Sequence, residues 1–341
     1  MSRGDFRPYL ERVRDGQSLS AEASAAAFER IMSGHVAEDD LADFLIAQSK
    51  RGPTVDEIAG AARAMRAAMV TVAAPAGAID VCGTGGDGSG TLNVSTAVAL
   101  VAAACGVPVA KHGNRSMSSR TGAADVLEAL GVNVTPGREG AEACLREANI
   151  AFLFAQTFHP AMKHVAKVRK KLGIRTIFNV LGPLCNPAAV KRQLMGVYAH
   201  EWVAPLAHVL RDLGSEKAWV VHGGGLDELT TTGATHVAVL DRAVISSSDV
   251  VPEDAGIARA TLAALKGGEA PENAAALTAL LDGARGAYRD IVLLNAAAAL
   301  IVADRAKDLR QGVRLAAEAI DSGRAKRVLA DFAACSQRFA A

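Results

Sequence analysis

Five glycines in eight residues, the run GTGGDGSG at 83–90, stand between an apolar segment, AIDVC, and a helical pattern that starts near Asn93. Glycine reaches positive φ and lets several backbone N–H groups meet one ligand, and the N-terminus of the following helix adds partial positive charge. The combination predicts a phosphate cradle. The same glycine spacing would suit a dinucleotide, but such a site wants an acidic residue at the end of the next strand for ribose hydroxyls. Here that strand ends in Lys111 and His112, which suit more phosphate. No Gly-Lys-Ser/Thr follows the glycines, which excludes a Walker A loop.

Three more clusters carry chemistry. In TLNVST, Asn93, Ser95 and Thr96 stand at the helix start, where they can cap the helix, or donate to phosphate oxygens and bind a metal. KHGNRSMSSRTG at 111–122 gathers a lysine, two arginines, an asparagine and three serines. That density of donors fits a lid around a multiply charged anion. HGGGLDEL presents Asp227 and Glu228 after another glycine turn. Adjacent carboxylates opposite phosphate-binding loops fit Mg²⁺, which shares oxygen ligands between carboxylates and phosphates. The implied ligand is a magnesium-bound diphosphate, alone or with a further phosphate.

These clusters need elements to position them. From Pro8 to about Val72 apolar residues recur at helical spacing, with Ser20 and Thr54 as N-caps and Glu57 completing a capping box with Thr54. Beyond this helical stretch, the apolar segments AIDVC, VPVAK, VNVT, IAFLFA, AWVVHG and HVAVL alternate with alanine-rich helices. The alternation predicts an α/β fold: a small all-helical domain plus a large domain with a mostly parallel central sheet. In such sheets ligands bind beyond the carboxyl ends of the strands. The glycine loop, KHGN and HGGGLDE all fall there, so they are expected to converge. Between Phe158 and Pro187 a basic helix interrupts the alternation; most of its lysines read as a solvated face, with Arg169 and His159 as exceptions. The part from about Leu262 reads as alanine-rich helices without assigned chemistry, with Asn295 a hydrogen-bonded core residue.

Composition narrows the class. A net charge of +1 over 341 residues offers no general affinity for nucleic acid or anionic membrane, so strong positive field must be local to a site. The five cysteines are scattered without a C-x-x-C pair, which predicts neither a disulfide framework nor a zinc site. With no apolar stretch at the N-terminus, a soluble cytoplasmic protein is expected.

GTGGD, NVST, KHGNR followed by SS, HPAM, RKKLGIRTIFNVLGPLCNP, LDE and the later NAA and SG-x-A segments occur in the order found in one family. Across nearly its whole length the chain resembles the anthranilate phosphoribosyltransferases of tryptophan biosynthesis. The resemblance implies the fold of the pyrimidine nucleoside phosphorylases. A helical domain at 1–75, joined by about 163–190, would be hinged to an α/β domain at 76–162 and 191–341. It implies a homodimer and a Mg²⁺-dependent transfer, with two ions, from phosphoribosyl pyrophosphate to the amine of anthranilate.

Carried over by position, Gly83, Gly86, Asp87, Thr91, Asn93, Val94, Ser95 and Thr96 would hold the phosphoribosyl donor. Lys111, His112, Gly113, Asn114, Arg115, Ser116, Met117, Ser118 and Ser119 would close over it, with Ala123 beside them. Ser95, Asp227 and Glu228 would bind the metal. Gly83, Asn114, Arg169, His112 and His159 would meet anthranilate, Arg169 attracting its carboxylate. Two departures from the family pattern stand out: Ala123 replaces a frequent serine, and HGGGLDE lacks an extra acidic residue. A pyrimidine nucleoside phosphorylase would not need the paired acids, and a nucleic-acid-binding relative would carry a basic excess that this chain lacks.

Overall fold

The computed structural model describes residues 6–115 and 120–340. It opens with the helices α1 (Arg7–Arg14), α2 (Ala21–Met32), α3 (Glu38–Arg51) and α4 (Val55–Ala67). Ser20 caps α2 by accepting the Ala23 N–H, and Thr54 forms the expected capping box with Glu57. The Glu57 carboxylate is fully buried and does more than cap: it takes two bonds from Arg51, at 2.6 and 2.7 Å, and the Leu19 N–H at 3.1 Å. One charged group thus joins the end of α3, the entry to α2 and the start of α4. Such bonds offset the cost of burying it.

The strands are β1 (Ile79–Gly83), β2 (Val109–Gly113), β3 (Ile150–Phe154), β4 (Arg192–Gly196), β5 (Lys217–His222), β6 (Thr235–Asp241) and β7 (Val244–Val250). They form one sheet in the order β3-β2-β1-β4-β5-β6-β7. β1 to β5 run parallel, and β6 and β7 add an antiparallel edge. The mostly parallel sheet is as expected, with three differences. VNVT at 132–135 is not a strand; Val132 and Val134 are buried, while Asn133 donates its N–H to Ser336 Oγ at 2.9 Å. A side-chain partner replaces a ladder there. β4 and β7 had no clear apolar signal: β4 carries Arg192 and Gln193, and β7 is largely exposed polar edge.

The intervening helices are α5 (Val94–Ala104), α6 (Ala123–Ala129), α7 (Gly137–Glu147), α8 (Ala155–Phe158), α9 (Lys163–Leu172), α10 (Phe178–Leu181) and α11 (Val203–Asp212). α12 (Ala270–Leu281), α13 (Ala287–Val302), α14 (Leu309–Asp321) and α15 (Arg324–Gln337) close the chain. α5 is buried almost all round, which its alanines and valines permit, and packs with α13 against one sheet face. On the other side, Val165 and Val168 of α9 and Phe178 of α10 share a core with Phe28 and Phe44 from α2 and α3. Phe28 and Phe178 lie 5.7 Å apart by ring centroids. α9 and α10 therefore pack with the opening helices despite their distance in sequence. No helix among the described residues is long and apolar enough to cross a membrane.

Candidate active site

The glycine loop leaves β1 and immediately turns toward its neighbour β4: the Thr84 N–H donates to the Gly196 carbonyl at 3.0 Å, and Thr84 Oγ1 accepts the Tyr198 N–H at 3.0 Å. Gly85, Gly86, Gly88 and Gly90 all have positive φ, between 60° and 77°. A side chain would be strained at each. Asp87 Oδ1 accepts the Ser89 N–H at 2.9 Å. Arg175, from the segment between α9 and α10, donates to the Gly86 carbonyl at 2.6 Å while its guanidinium lies 4.2 Å from the Tyr198 ring centroid. No local pattern singles out Arg175, because its partners are distant in the chain.

After β5 a tight turn, with Gly223 and Leu226 exchanging backbone bonds, delivers Asp227 and Glu228. Asp227 then reaches back across the end of β4. Gly83 and Gly196 face each other in register at the ends of β1 and β4. A Cβ on Gly196 would lie 1.5 Å from the Asp227 carbonyl oxygen, and one on Gly83 would lie 2.2 Å from Asp227 Oδ2. The missing side chains make the passage. Asp227 Oδ2 accepts the Gly85 N–H at 2.7 Å, and the Asp227 N–H donates to Asp87 Oδ2 at 3.3 Å. Burial pushes the Asp227 carboxyl up to about 7, and the charge of Asp87 adds to the shift. Glu228 is raised well above its ordinary value by burial and then by Asp227, while Lys111 and the Ser95 backbone bond favour its charged form.

Lys111 is buried under this cluster, donating to the Val81 carbonyl at 2.7 Å and to Ser95 Oγ at 3.1 Å. Thr96 Oγ1 is buried without a hydrogen-bond partner among the described residues. The residue after Glu228 is fixed from α13: Asn295 Oδ1 accepts the Leu229 N–H at 2.9 Å, and Nδ2 donates to the Leu229 and Ile291 carbonyls at 2.8 and 2.9 Å. Asn295 is a satisfied core residue, as expected, and also the fastening of the acidic loop. The oxygen-only donor set of Asp227, Glu228 and Ser95 suits a hard cation. Among the described residues no three His, Cys, Asp or Glu side chains form an ion site by themselves.

A second cluster forms on β2. The His112 N–H donates to Asp80 Oδ1 at 3.0 Å, its Nδ1 lies 3.0 Å from the Gly182 carbonyl, and its Nε2 lies 3.2 Å from His159 Nε2. Burial lowers both rings, His112 to about 3 and His159 to about 4. Asp80, fully buried, also accepts from Asn186 Nδ2 at 2.8 Å, which ties the segment after α10 to β1. Arg169 on α9 lies over Phe178, 5.2 Å from the ring centroid, and burial alone lowers its pKa. No carboxylate among the described residues pairs with it.

Asn114 is exposed and accepts the Arg115 N–H on Oδ1 at 2.8 Å. Arg115 is committed elsewhere, to Asp125 at 2.7 Å and Glu128 at 2.6 Å on α6. Gly113 admits the Phe152 ring, which a Cβ there would meet at 2.6 Å, and Ala123 begins α6. Ser116, Met117, Ser118 and Ser119 lie outside the described residues. The structure thus joins the glycine loop, the start of α5, Lys111 and the acidic loop by direct contacts. The late segment also contributes where no chemistry was expected. Lys266 pairs as a bridge with Thr91, and a cavity of about 290 Å³ is lined by Gly88, Gly90, Thr91, Arg120, Lys266 and Asn273 among others.

Comparison with known proteins bears on this arrangement. Residues 76–326 match the family model described as "Glycosyl transferase family, a/b domain", and residues 7–69 the corresponding "helical bundle domain". The chain is 57% identical over 334 residues to an anthranilate phosphoribosyltransferase of Beijerinckia indica, covering 98% of each. It is similar to the crystal structure of the Thermus thermophilus enzyme of that name, with a TM-score of 0.92, 44% identity and coverage of 96% of this chain and 99% of that one. The Saccharomyces cerevisiae anthranilate phosphoribosyltransferase, solved with PRPP and Mg, matches at a TM-score of 0.91 and 29% identity, covering 99% of each. With a glycine cradle facing two carboxylates on this fold, and likeness along nearly its full length, the chain belongs to the anthranilate phosphoribosyltransferase family.

Proposed function

We propose that the chain transfers the 5-phosphoribosyl group of phosphoribosyl pyrophosphate to the amine of anthranilate. The products are N-(5-phosphoribosyl)anthranilate and pyrophosphate, on the route to tryptophan. The observation that carries this reading is the docking of Asp227 on the glycine loop, which sets carboxylates against a phosphate cradle. A nucleoside phosphorylase working on free phosphate would have no use for that pairing.

In the reaction the amine nitrogen bonds to ribose C1 as the C1–O bond to pyrophosphate breaks. The bonding electrons leave with pyrophosphate, and the amine proton passes to solvent. Residues 83–96 hold the donor by backbone N–H groups and by Asn93 and Ser95, with Lys111 adding positive field from below. Lys111, His112 and Gly113 belong to β2, with Lys111 and His112 buried, so of the expected lid only Asn114 to Ser119 is left to close over the donor, with Ala123 beside it. Asp227, Glu228 and Ser95 would hold Mg²⁺ by their oxygens, with two ions as the family resemblance implies. When bound, the metal offsets the charge that develops on departing pyrophosphate. Arg169 pairs with the anthranilate carboxylate, while Asn114, Gly83 and the His112–His159 pair line its place. Alignment of the amine, not a dedicated base, is the protein's other contribution.

The same reading divides the chain into a helical part, 1–75 with about 163–190, and an α/β part, 76–162 with 191–341. The packing of α9 and α10 with the opening helices supports their grouping, and the same core continues through α11 to the sheet. The reading also makes the protein a cytoplasmic homodimer. The test is loss of anthranilate fluorescence on mixing with phosphoribosyl pyrophosphate and Mg²⁺. EDTA and the Asp227→Asn/Glu228→Gln variant serve as controls. Activity that survives both controls would remove the metal site, and inactive folded protein would remove the assignment.

A further inference from the structure

Asn93 occupies the N-cap position of α5, where asparagine ordinarily accepts a backbone N–H from the first turn. It makes no such bond. Its Oδ1 instead accepts from Asn273 Nδ2 at 2.9 Å, while Asn273 Oδ1 accepts the Gly268 N–H at 2.8 Å. The orientations follow from this network: a backbone N–H only donates, so Asn273 must offer it oxygen and turn its NH₂ toward Asn93. Asn93 must in turn offer oxygen to Asn273. Its own NH₂ is then the end available to a ligand.

The arrangement is built in from three sides. Asn273 is 2% exposed on α12. A Cβ on Gly267 would meet its Oδ1 at 2.8 Å and the Leu92 nitrogen at 3.0 Å, so glycine there gives the amide its place. Tyr288 on α13 donates to the Asn93 carbonyl at 3.1 Å and fixes the backbone of the turn. The cavity lined by Thr91, Lys266 and Asn273 lies alongside.

We propose that Asn273 is a positioning residue for the phosphoribosyl donor. It sets the Asn93 carboxamide so that N–H donors, and not the carbonyl oxygen, face a phosphoryl group. Phosphoryl oxygens only accept, so an Asn93 turned end for end would set lone pairs against an anion. The inference rests on the reading that the donor is held at the start of α5.

The test uses Asn273→Asp, of nearly the same shape. One carboxylate oxygen still serves Gly268, but the other can only accept, and Asn93 must turn its NH₂ inward. The expected result is a rise of about tenfold or more in KM for phosphoribosyl pyrophosphate, with KM for anthranilate changed by less than about twofold. Calorimetric titration of phosphoribosyl pyrophosphate in Mg²⁺ should weaken equally. In an Asn93→Ala background the same substitution should add little, because the group it acts through is gone. Asn273→Ala, which frees Asn93 without forcing it, should give a smaller rise and serves if the aspartate variant does not fold. Unchanged donor affinity in these variants, or an equal loss with and without Asn93, would overturn the inference. If Asn93→Ala itself leaves donor affinity unchanged, the placement of the donor falls too.

Discussion

Asp227 Oδ2 accepts the Gly85 N–H at 2.7 Å, so the acidic loop after β5 and the glycine loop after β1 are one unit although 142 residues separate them. β4 lies between their strands, and its terminal Gly196 is what lets the contact form. The unit has two glycine clearances and two hydrogen bonds at its centre, and disturbing any of them should disturb the chemistry.

Gly196→Ala tests this most directly. A methyl group 1.5 Å from the Asp227 carbonyl oxygen must displace backbone, not a flexible side chain. Displacement near 1 Å at a catalytic group costs on the order of 10²-fold. Steady-state kinetics should show a loss of about that size in kcat/KM, with the circular dichroism of folded protein retained. A wild-type rate would mean that Asp227 does not need its present position.

Arg169→Gln should act on one substrate only. A charge-assisted bond to a carboxylate contributes about 1.5–3 kcal/mol, so KM for anthranilate should rise about 10- to 100-fold while KM for phosphoribosyl pyrophosphate stays near its original value. Equal rises in both would argue for a structural role over Phe178.

His112 and His159 make stability depend on pH. Their folded values, about 3 and about 4, lie below the ordinary 6.5 because burial favours neutral rings. The unfolded chain therefore binds more protons once pH drops below about 6.5, and this contribution to stability, complete above that value, is lost toward pH 4. The slope is up to about 1.4 kcal/mol per pH unit for each ring. Urea unfolding between pH 7 and pH 5 should show it, and His159→Leu should remove one ring's share. Identical slopes in the two proteins would refute the burial argument.

Asn295→Leu should destabilise by about 2–5 kcal/mol, because it leaves the buried N–H and carbonyl of Leu229 unpaired. Urea denaturation measures the loss. Catalysis should fall with it, since Leu229 follows Glu228 directly; a destabilised variant with full activity per folded molecule would separate the two roles.

The local chemistry was legible in the sequence because it depends on residue type at short spacing. Glycine density marked the loop after β1, Thr54 and Glu57 marked the start of α4, and adjacent acids marked the acidic loop. β4 escaped notice because Arg192 and Gln193 interrupt its apolar pattern, although Gln193 is buried and bonded to the Pro183 carbonyl at 2.8 Å. VNVT misled because its valines are buried without strand pairing. By itself the sequence determined which groups could hold phosphate, metal and carboxylate, and that a mostly parallel sheet would carry them. Only the tertiary structure decided which distant residues hold those groups in place: Gly196 beneath Asp227, Arg175 on Gly86, Asn295 on Leu229 and Asn273 on Asn93. The reason is physical. A donor's type is local, but its direction is set by hydrogen-bond partners and close contacts that chain folding alone brings together.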